Sequence, residues 1–371
     1  MIGPERVRVA LAERSYEIVV GEGLLARAGV LLRPILKRPD VLIVTDPNLV
    51  RSGHASLLAR ALEEAGIRQR QVVVPPGEQS KSLAQLDGLL DEILGMGVER
   101  STTIVALGGG VIGDLAGFAA AILLRGLDYV QVPTTLLAQV DSAVGGKTGI
   151  NSRHGKNLIG SFHQPRLVIA DTSVLTSLPP RELRAGYAEV VKYGLIDRPE
   201  FFAWLERHGA ALLAGDKDAL RHAILESCRA KAAIVAADEH EGGARALLNL
   251  GHTFAHALET ASGYGEELLH GEAVACGMAL AFELSARLGL CPQEDVARVR
   301  RRLDEVGLPS SRRVIRGHGF ATEPLLAALG HDKKVADGRP RFVLVHGIGR
   351  AFAGARIEPA DLKALLDAPE P

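Results

Sequence analysis

Thr102-Thr103-Ile104-Val105-Ala106-Leu107-Gly108-Gly109-Gly110-Val111-Ile112-Gly113-Asp114 is the stretch that decides the fold. Its first six residues read as a buried strand, which runs straight into glycines that open a helix. The pattern Gly108-x-Gly110-x-x-Gly113 has dinucleotide-fingerprint spacing: glycines let the backbone approach a pyrophosphate, and the helix N–H groups and dipole favour the anion. Alone, the same spacing equally describes a tight turn. Upstream, Val41–Thr45 is a short β-branched strand ending at Asp46-Pro47, and 57–65 has helical spacing. Gln71–Val74 is a strand stopped by Pro75-Pro76-Gly77, and 82–94 is again helical. Such alternation implies an α/β fold, a mainly parallel sheet with helices on both faces, which binds ligands beyond the strands' carboxyl ends. At least two βα units precede the glycine turn, whereas an ordinary Rossmann fold carries it in its first. Asp46, at a strand's carboxyl end, could hold a ribose hydroxyl and would repel a 2′-phosphate, favouring NAD over NADP. Before Pro47 it is also a good helix N-cap.

The texture changes after Leu178-Pro179-Pro180. Helical spacing then covers 181–193, 199–213, 216–237, 252–261, 271–289, 293–306 and 359–367, with one strand-like piece at 341–345. The boundary this suggests separates an α/β domain, 1–180, from a mainly helical domain, 181–371.

The chain has 371 residues, a formal charge of −1 and 4% aromatic residues, so it has ample length for a core and no basic surplus that would point to nucleic acid. Three cysteines without CxxC spacing exclude a disulfide framework and a thiolate zinc knuckle. The start reaches charge at Glu5-Arg6 and shows no signal-peptide pattern. The apolar stretch 106–124 is long enough to span a bilayer, but five glycines and Asp114 make a buried strand–turn–helix the better reading. The expectation is a cytoplasmic enzyme with neither membrane nor nucleic-acid partner. Of 43 basic residues only ten are lysine, so arginine serves the surface and each lysine becomes a candidate for a site.

In the helical half, His252 and His256 lie one turn apart, His270-Gly271-Glu272 opens another helix, and Glu189 and Lys192 stand at i, i+3. Two imidazoles and a carboxylate can hold a divalent ion with positions open for a substrate oxygen. Thr253 stands where a metalloprotease HExxH needs glutamate. By spacing alone, His252 and His256 are the candidate ligands and Glu189/Lys192 reads as a surface ion pair. The acidic run Asp238-Glu239-His240-Glu241 reads as a solvated turn.

Taken together, Pro76–Lys81, Gly108–Asp114, Gln131–Ser142, Gly145–Asn151, Lys156–Gly160, Gly186–Gly194, Asn249–Ala257, His270–Val274 and Asp332–Lys334 resemble the 3-dehydroquinate synthase family of sugar phosphate cyclases over essentially the whole chain. Departures are slight: in Leu175-Thr176-Ser177-Leu178-Pro179, Ser177 stands where the family commonly has threonine, one hydroxyl for another, and the interval from His252 to His270 is a residue longer than in some relatives.

The resemblance implies an N-terminal Rossmann-like NAD-binding domain, a C-terminal mainly helical metal-binding domain, and an active site in the cleft between them. It implies conversion of 3-deoxy-D-arabino-heptulosonate 7-phosphate to 3-dehydroquinate and phosphate, in the shikimate pathway. The steps are transient oxidation at C5 by NAD, β-elimination of phosphate, re-reduction, ring opening and aldol closure. One divalent ion, zinc or cobalt, falls to Glu189, His252 and His270, which moves His256 from ligand to substrate side. NAD contacts fall to Asp46, Asn48, Glu78, Lys81, Gly109, Gly110, Val111, Asp114, Thr134, Thr135 and Lys156. Phosphate contacts fall to Lys147, Lys192, Asn157, Arg125 and one of Lys333/Lys334. Arg245 and Lys231 are assigned to the substrate carboxylate, His256 and Glu241 to proton steering, and Asp141 and Asn249 to further substrate contacts. A homodimer is the family expectation. The competing readings are a cyclase acting on a substrate without a carboxylate, an NAD-dependent polyol dehydrogenase, and a catalytically inactive NAD-binding module.

Overall fold

The structure is a computed structural model and describes residues 3–263, 267–315, 320–330, 335–336 and 339–369. The chain divides into two units, Met1–Pro179 with Leu220–Glu239, and Pro180–Ala219 with His240–Pro371.

The strands of the first unit are β1 (Glu5–Val9), β2 (Tyr16–Gly21), β3 (Asp40–Thr45), β4 (Arg68–Val73), β5 (Thr103–Gly108), β6 (Tyr129–Pro133), β7 (Lys147–Ser152), β8 (Gly155–Phe162) and β9 (Leu167–Asp171). Seven of them form one sheet in the order β1-β2-β9-β6-β5-β3-β4. Every neighbouring pair is parallel except β1–β2. β3 and β5 are buried at every position because both faces are covered. Val41, Ile43, Val105 and Leu107 enter one core, while Leu42, Val44, Ile104 and Ala106 enter the other. Their uninterrupted apolar runs are the two-residue side-chain alternation of a strand feeding two cores at once.

The strand order also fixes where a ligand can bind. From β3 the chain steps outward to β4 and then back across to β5, so the winding reverses between β3 and β5. The loops leaving these strands begin at Asp46 and Gly109. A crevice beyond the carboxyl ends at such a reversal is the usual ligand position of a doubly wound sheet. The glycine turn therefore sits at the switch point although it is not the first βα turn of the chain.

β7 and β8 form a separate antiparallel hairpin that the sequence does not reveal. It lies against the helix Gly110–Ile122, where a Cβ on Gly117 would stand 2.5 Å from Thr148 Cγ2. The apolar stretch 106–124 resolves into the end of β5, this helix and a short turn, and no described helix is long and apolar enough to cross a membrane.

In the second unit the helices Pro180–Ile196, Pro199–Leu213, His252–Ala261, His270–Arg287, Gln293–Glu305 and Pro359–Asp367 follow the spacing of the sequence within a few residues. A helix over Thr322–Gly330 joins them. The single strand expected at 341–345 is instead the middle of a three-stranded antiparallel sheet, β10 (Val335–Ala336), β11 (Arg339–Val345) and β12 (Ala351–Arg356). β12 is rich in alanine and glycine, which hides it from a hydrophobic pattern.

The helix Lys217–Ala237 has the texture of the helical half, yet from Leu220 onward it is counted with the first unit. There Cys228 Sγ donates to the Gln139 carbonyl at 3.3 Å and Lys231 pairs with Asp141. Periodicity marks a helix but not the neighbour that buries it.

The Gly117→Ala variant should lose about 1–3 kcal/mol of stability through overpacking against Thr148. Urea unfolding measures this, and an unchanged midpoint would show that the hairpin is not held at this contact.

Candidate metal and nucleotide sites

In the first unit the glycines divide by what surrounds them. A Cβ on Gly108 would meet Ile112 at 2.5 Å and one on Gly113 would meet Gln131 Oε1 at 2.5 Å, so both serve close packing. Gly109 and Gly110 meet nothing nearer than 3.1 and 3.0 Å. They are the first residues of the helix N-terminus, where backbone N–H groups lack intrahelical partners. Thr135 and Ser142 therefore line the start of the helix at close range.

Beside it, Lys81 is buried and its Nζ donates to Asp114 Oδ2 at 2.6 Å and to Asn157 Oδ1. Burial raises the Asp114 carboxyl above its ordinary range, and the Lys81 charge draws it part of the way back. Glu78 accepts from Asn151 Nδ2 at 2.8 Å, and Asn151 Oδ1 accepts from the Asn157 N–H at 2.9 Å. This chain of bonds ties the β7–β8 hairpin to the loop after β4. Thr134 donates its N–H to the Gly108 carbonyl at 3.0 Å, and Thr135 lies against Gly109. Asp46 does cap the helix Pro47–Arg51, accepting from the N–H groups of Asn48 and Leu49 at 2.7 and 3.4 Å. Asn48 is exposed and accepts from Arg51 through its side chain, while Val111 is half-buried on the first turn after Gly110.

Lys147 and Asn157 are exposed and Lys156 is half-buried, all on the hairpin. Lys231 donates to Asp141 twice, to Oδ1 at 2.6 Å and to the carbonyl at 2.7 Å. Arg125, Asn157 and Glu241 are three of the five non-glycine residues with positive φ among those described, at 70°, 54° and 61°. Such backbone is costly and recurs where side-chain placement matters more than stability.

In the second unit three helices carry a trio of side chains that could hold a metal ion. Glu189 is fully buried on Pro180–Ile196, and its Oε1 lies 3.6 Å from His252 Nε2 and 3.5 Å from His270 Nε2. These are the separations of ligand atoms around a tetrahedral ion with bonds of about 2.0–2.1 Å, whose edges are about 3.3 Å. Among the described residues this is the one trio whose ligand atoms lie within 4.8 Å of one another. His256 does not belong to it, although its ring stands edge-on to His252 at 5.8 Å. Spacing on one helix therefore misleads, because the third ligand comes from elsewhere in the chain.

Glycines bring those helices together. A Cβ on Gly271 would stand 1.9 Å from the Ala185 carbonyl oxygen, and one on Gly277 would stand 2.1 Å from that of Gly251. Gly251 itself has φ 81°, a left-handed turn that starts the His252 helix.

Both imidazoles are held by their far nitrogens. His252 Nδ1 lies 3.3 Å from the Leu250 carbonyl oxygen, and His270 Nδ1 lies 3.3 Å from Glu259 Oε1. Both Glu189 oxygens are buried, with Oε2 ion-paired to Lys192 and Oε1 facing the two imidazole Nε2 atoms. Burial lowers the affinity of His270 for a proton, but Glu259 and Glu189 outweigh it and push its pKa up to about 10. Two carboxylates thus face the one imidazole, Glu189 at Nε2 and Glu259 at Nδ1.

Lys192 is 1% exposed and ion-paired with Glu189, so the pair read as a surface bridge is in the core. Arg245 is also 1% exposed, on the turn Ala244–Asn249, and Asn249 Nδ2 donates to Glu241 Oε1 at 2.9 Å. Lys333 and Lys334 lie outside the described residues. The residue that sequence reasoning missed is Glu259, which follows His252 and His256 at i+7 and i+3 on one helix face.

Residues 71–185 match the family described as 3-dehydroquinate synthase N-terminal, and residues 186–335 match 3-dehydroquinate synthase C-terminal. The chain belongs to the 3-dehydroquinate synthase family. It is 61% identical over 361 residues to the 3-dehydroquinate synthase of Rhodospirillum rubrum, covering 97% of this chain and 94% of that protein. Among solved structures it is similar to a 2-deoxy-scyllo-inosose synthase complexed with carbaglucose-6-phosphate, NAD+ and Co2+. That match has a TM-score of 0.88 and 27% identity, covering 98% and 99% of the two chains. It is also similar to the 2-epi-5-epi-valiolone synthase of Streptomyces hygroscopicus with NAD+ and Zn2+, with a TM-score of 0.86 and 32% identity over 96% and 97%. The fold is that of the dehydroquinate synthase-like cyclases.

Replacing Lys192 by Met should destabilise the metal-free synthase by about 3–5 kcal/mol, because Glu189 is left buried without its cation. Urea unfolding with and without zinc checks this: the ion should restore most of the loss. A deficit under about 1 kcal/mol in the absence of metal would contradict the buried charge pair.

Proposed function

We propose that this chain is an NAD- and divalent-metal-dependent 3-dehydroquinate synthase, a carbon–oxygen lyase. It would convert 3-deoxy-D-arabino-heptulosonate 7-phosphate to 3-dehydroquinate and inorganic phosphate. The observation that carries the reading is the buried Glu189 carboxylate with two imidazole Nε2 atoms at 3.5 and 3.6 Å. The donor set fits zinc or cobalt, and the N–H groups at the Gly109-Gly110 helix start suit a pyrophosphate. When bound, NAD supplies a transient hydride acceptor and the ion acidifies a substrate hydroxyl, so net redox over a turnover is zero.

The protein's own groups bind, orient and move protons. In the first unit, Asp46, Asn48, Glu78, Lys81, Gly109, Gly110, Val111, Asp114, Thr134, Thr135 and Lys156 are assigned to the nucleotide. Lys147, Asn157 and Arg125 are assigned to the substrate phosphate, and Lys231, anchored by Asp141, to the carboxylate. In the second unit, Glu189, His252 and His270 hold the ion and Lys192 contributes a further phosphate-binding charge. Arg245 offers a guanidinium fork to the carboxylate. His256 and Glu241 hold protons at substrate hydroxyls, with Asn249 fixing Glu241. The departing phosphate is itself a competent base, so no dedicated carboxylate is required for the elimination.

A cyclase whose substrate lacks a carboxylate is the second reading, raised by the inosose and valiolone synthases. The likeness weighs against it, with 61% identity to a 3-dehydroquinate synthase against 27% and 32% to those two cyclases. A homodimer in the cytoplasm, with a phosphorylated sugar acid as its small-molecule partner, completes the proposal. Three buried thiols and near-zero net charge suit that setting.

Purified protein, trace NAD and the heptulosonate phosphate should release stoichiometric inorganic phosphate while NADH absorbance stays flat. Rising absorbance would mark a dehydrogenase, and no phosphate would mark a different substrate. Lys147→Ala should lower turnover about a hundredfold, as loss of a charged donor does, with NAD affinity retained. Equal loss of both would overturn its assignment to phosphate.

A further inference from the structure

We propose that Glu259 is a positioning residue for the metal site, orienting His270 and raising its donor strength through Nδ1. The inference rests on the metal reading above and adds a residue to it.

Glu259 is 3% exposed and stands on the His252–Ala261 helix, the same helix that supplies one ligand directly. His270 opens the next helix, with Nδ1 3.3 Å from Glu259 Oε1 and Nε2 3.5 Å from Glu189 Oε1. Its ring is thus held between two carboxylates through opposite nitrogens. A proton on Nδ1 bonded to Glu259 leaves the Nε2 lone pair directed at the trio, which selects the ligating tautomer. A carboxylate partner also makes the imidazole a stronger donor than a neutral acceptor does.

His252 supplies an internal contrast. Its Nδ1 faces a backbone acceptor, the Leu250 carbonyl across the left-handed Gly251. His270 has no such turn, since Leu269 before it is extended, with φ −73° and ψ 149°. Its orientation depends on a side chain, and that side chain is charged. Glu259 and Glu189 together bring two negative charges to a site for a divalent ion, while Lys192 stays paired to Glu189. Burying an ionised carboxylate is costly, and its contact with His270 gives that charge a function a neutral amide would not serve.

The test is Glu259→Gln, which keeps the size and an acceptor oxygen but removes the charge. Zinc affinity is read by competition with a chromophoric chelator, on protein first stripped of metal and holding NAD. The expected result is about 10–100-fold weaker binding, with the unfolding midpoint of the stripped protein nearly unchanged. The visible spectrum of the cobalt-loaded variant should shift as well, since ligand orientation alters it. A zinc affinity within about twofold of the parent overturns the proposal, and a fall in stripped-protein stability alone marks Glu259 as a helix strut. If the parent itself binds no zinc, the metal site fails, which is a separate and visible outcome. Should the variant not fold, nitrogen-15 NMR of the unaltered zinc-loaded protein decides: His270 must be protonated at Nδ1, and the opposite tautomer refutes the inference.

Discussion

The structure of the second unit depends on backbone-to-backbone contact between three helices. Gly271 against the Ala185 carbonyl and Gly277 against that of Gly251 permit an approach that any side chain would block. Glu189, His252 and His270 sit beside these contacts, so their convergence follows from helix packing and not from loop flexibility. Ligands on rigid helices are held more closely to a required geometry than ligands on loops. The cost is a fully buried carboxylate, which Lys192 offsets.

The first unit solves a different problem with the same residue type. Its sheet reverses winding between β3 and β5, which opens a crevice at Asp46 and Gly109. Gly108, Gly113 and Gly117 permit close packing, and Gly109 and Gly110 let Thr135 and Ser142 approach the helix start. The Lys81–Asp114–Asn157 cluster then secures the hairpin that carries Lys147 and Lys156. Lysines are rare in this chain, and those near these elements take specific partners.

Much of this was legible because it rests on local periodicity. The buried runs of β3 and β5 and the helices from 199 to 213 and 252 to 261 follow from apolar spacing alone. The β7–β8 hairpin was not, since Lys147–Ser152 and Gly155–Phe162 are polar and glycine-rich and bury little in alternation. Nor could spacing assign the helix from Leu220 to the first unit, because its allegiance lies in contacts such as Lys231 with Asp141. The depth of the Glu189–Lys192 pair was hidden for the same reason: i, i+3 spacing is identical on a surface and in a core. The grouping of Glu189, His252 and His270 needed family likeness, since His256 is nearer His252 in sequence than either of the other two. Glu259 escaped both routes, though its place at i+7 from His252 puts it on the ligand-bearing face.

The proposed chemistry depends on one divalent ion held by Glu189, His252 and His270. Metal content after exhaustive dialysis, compared between the parent and His270→Ala by elemental analysis, tests it most directly. The parent should retain one equivalent of zinc or cobalt per chain and the variant essentially none. A variant that keeps a full equivalent would show that the ion is held elsewhere and that the trio is not the metal site.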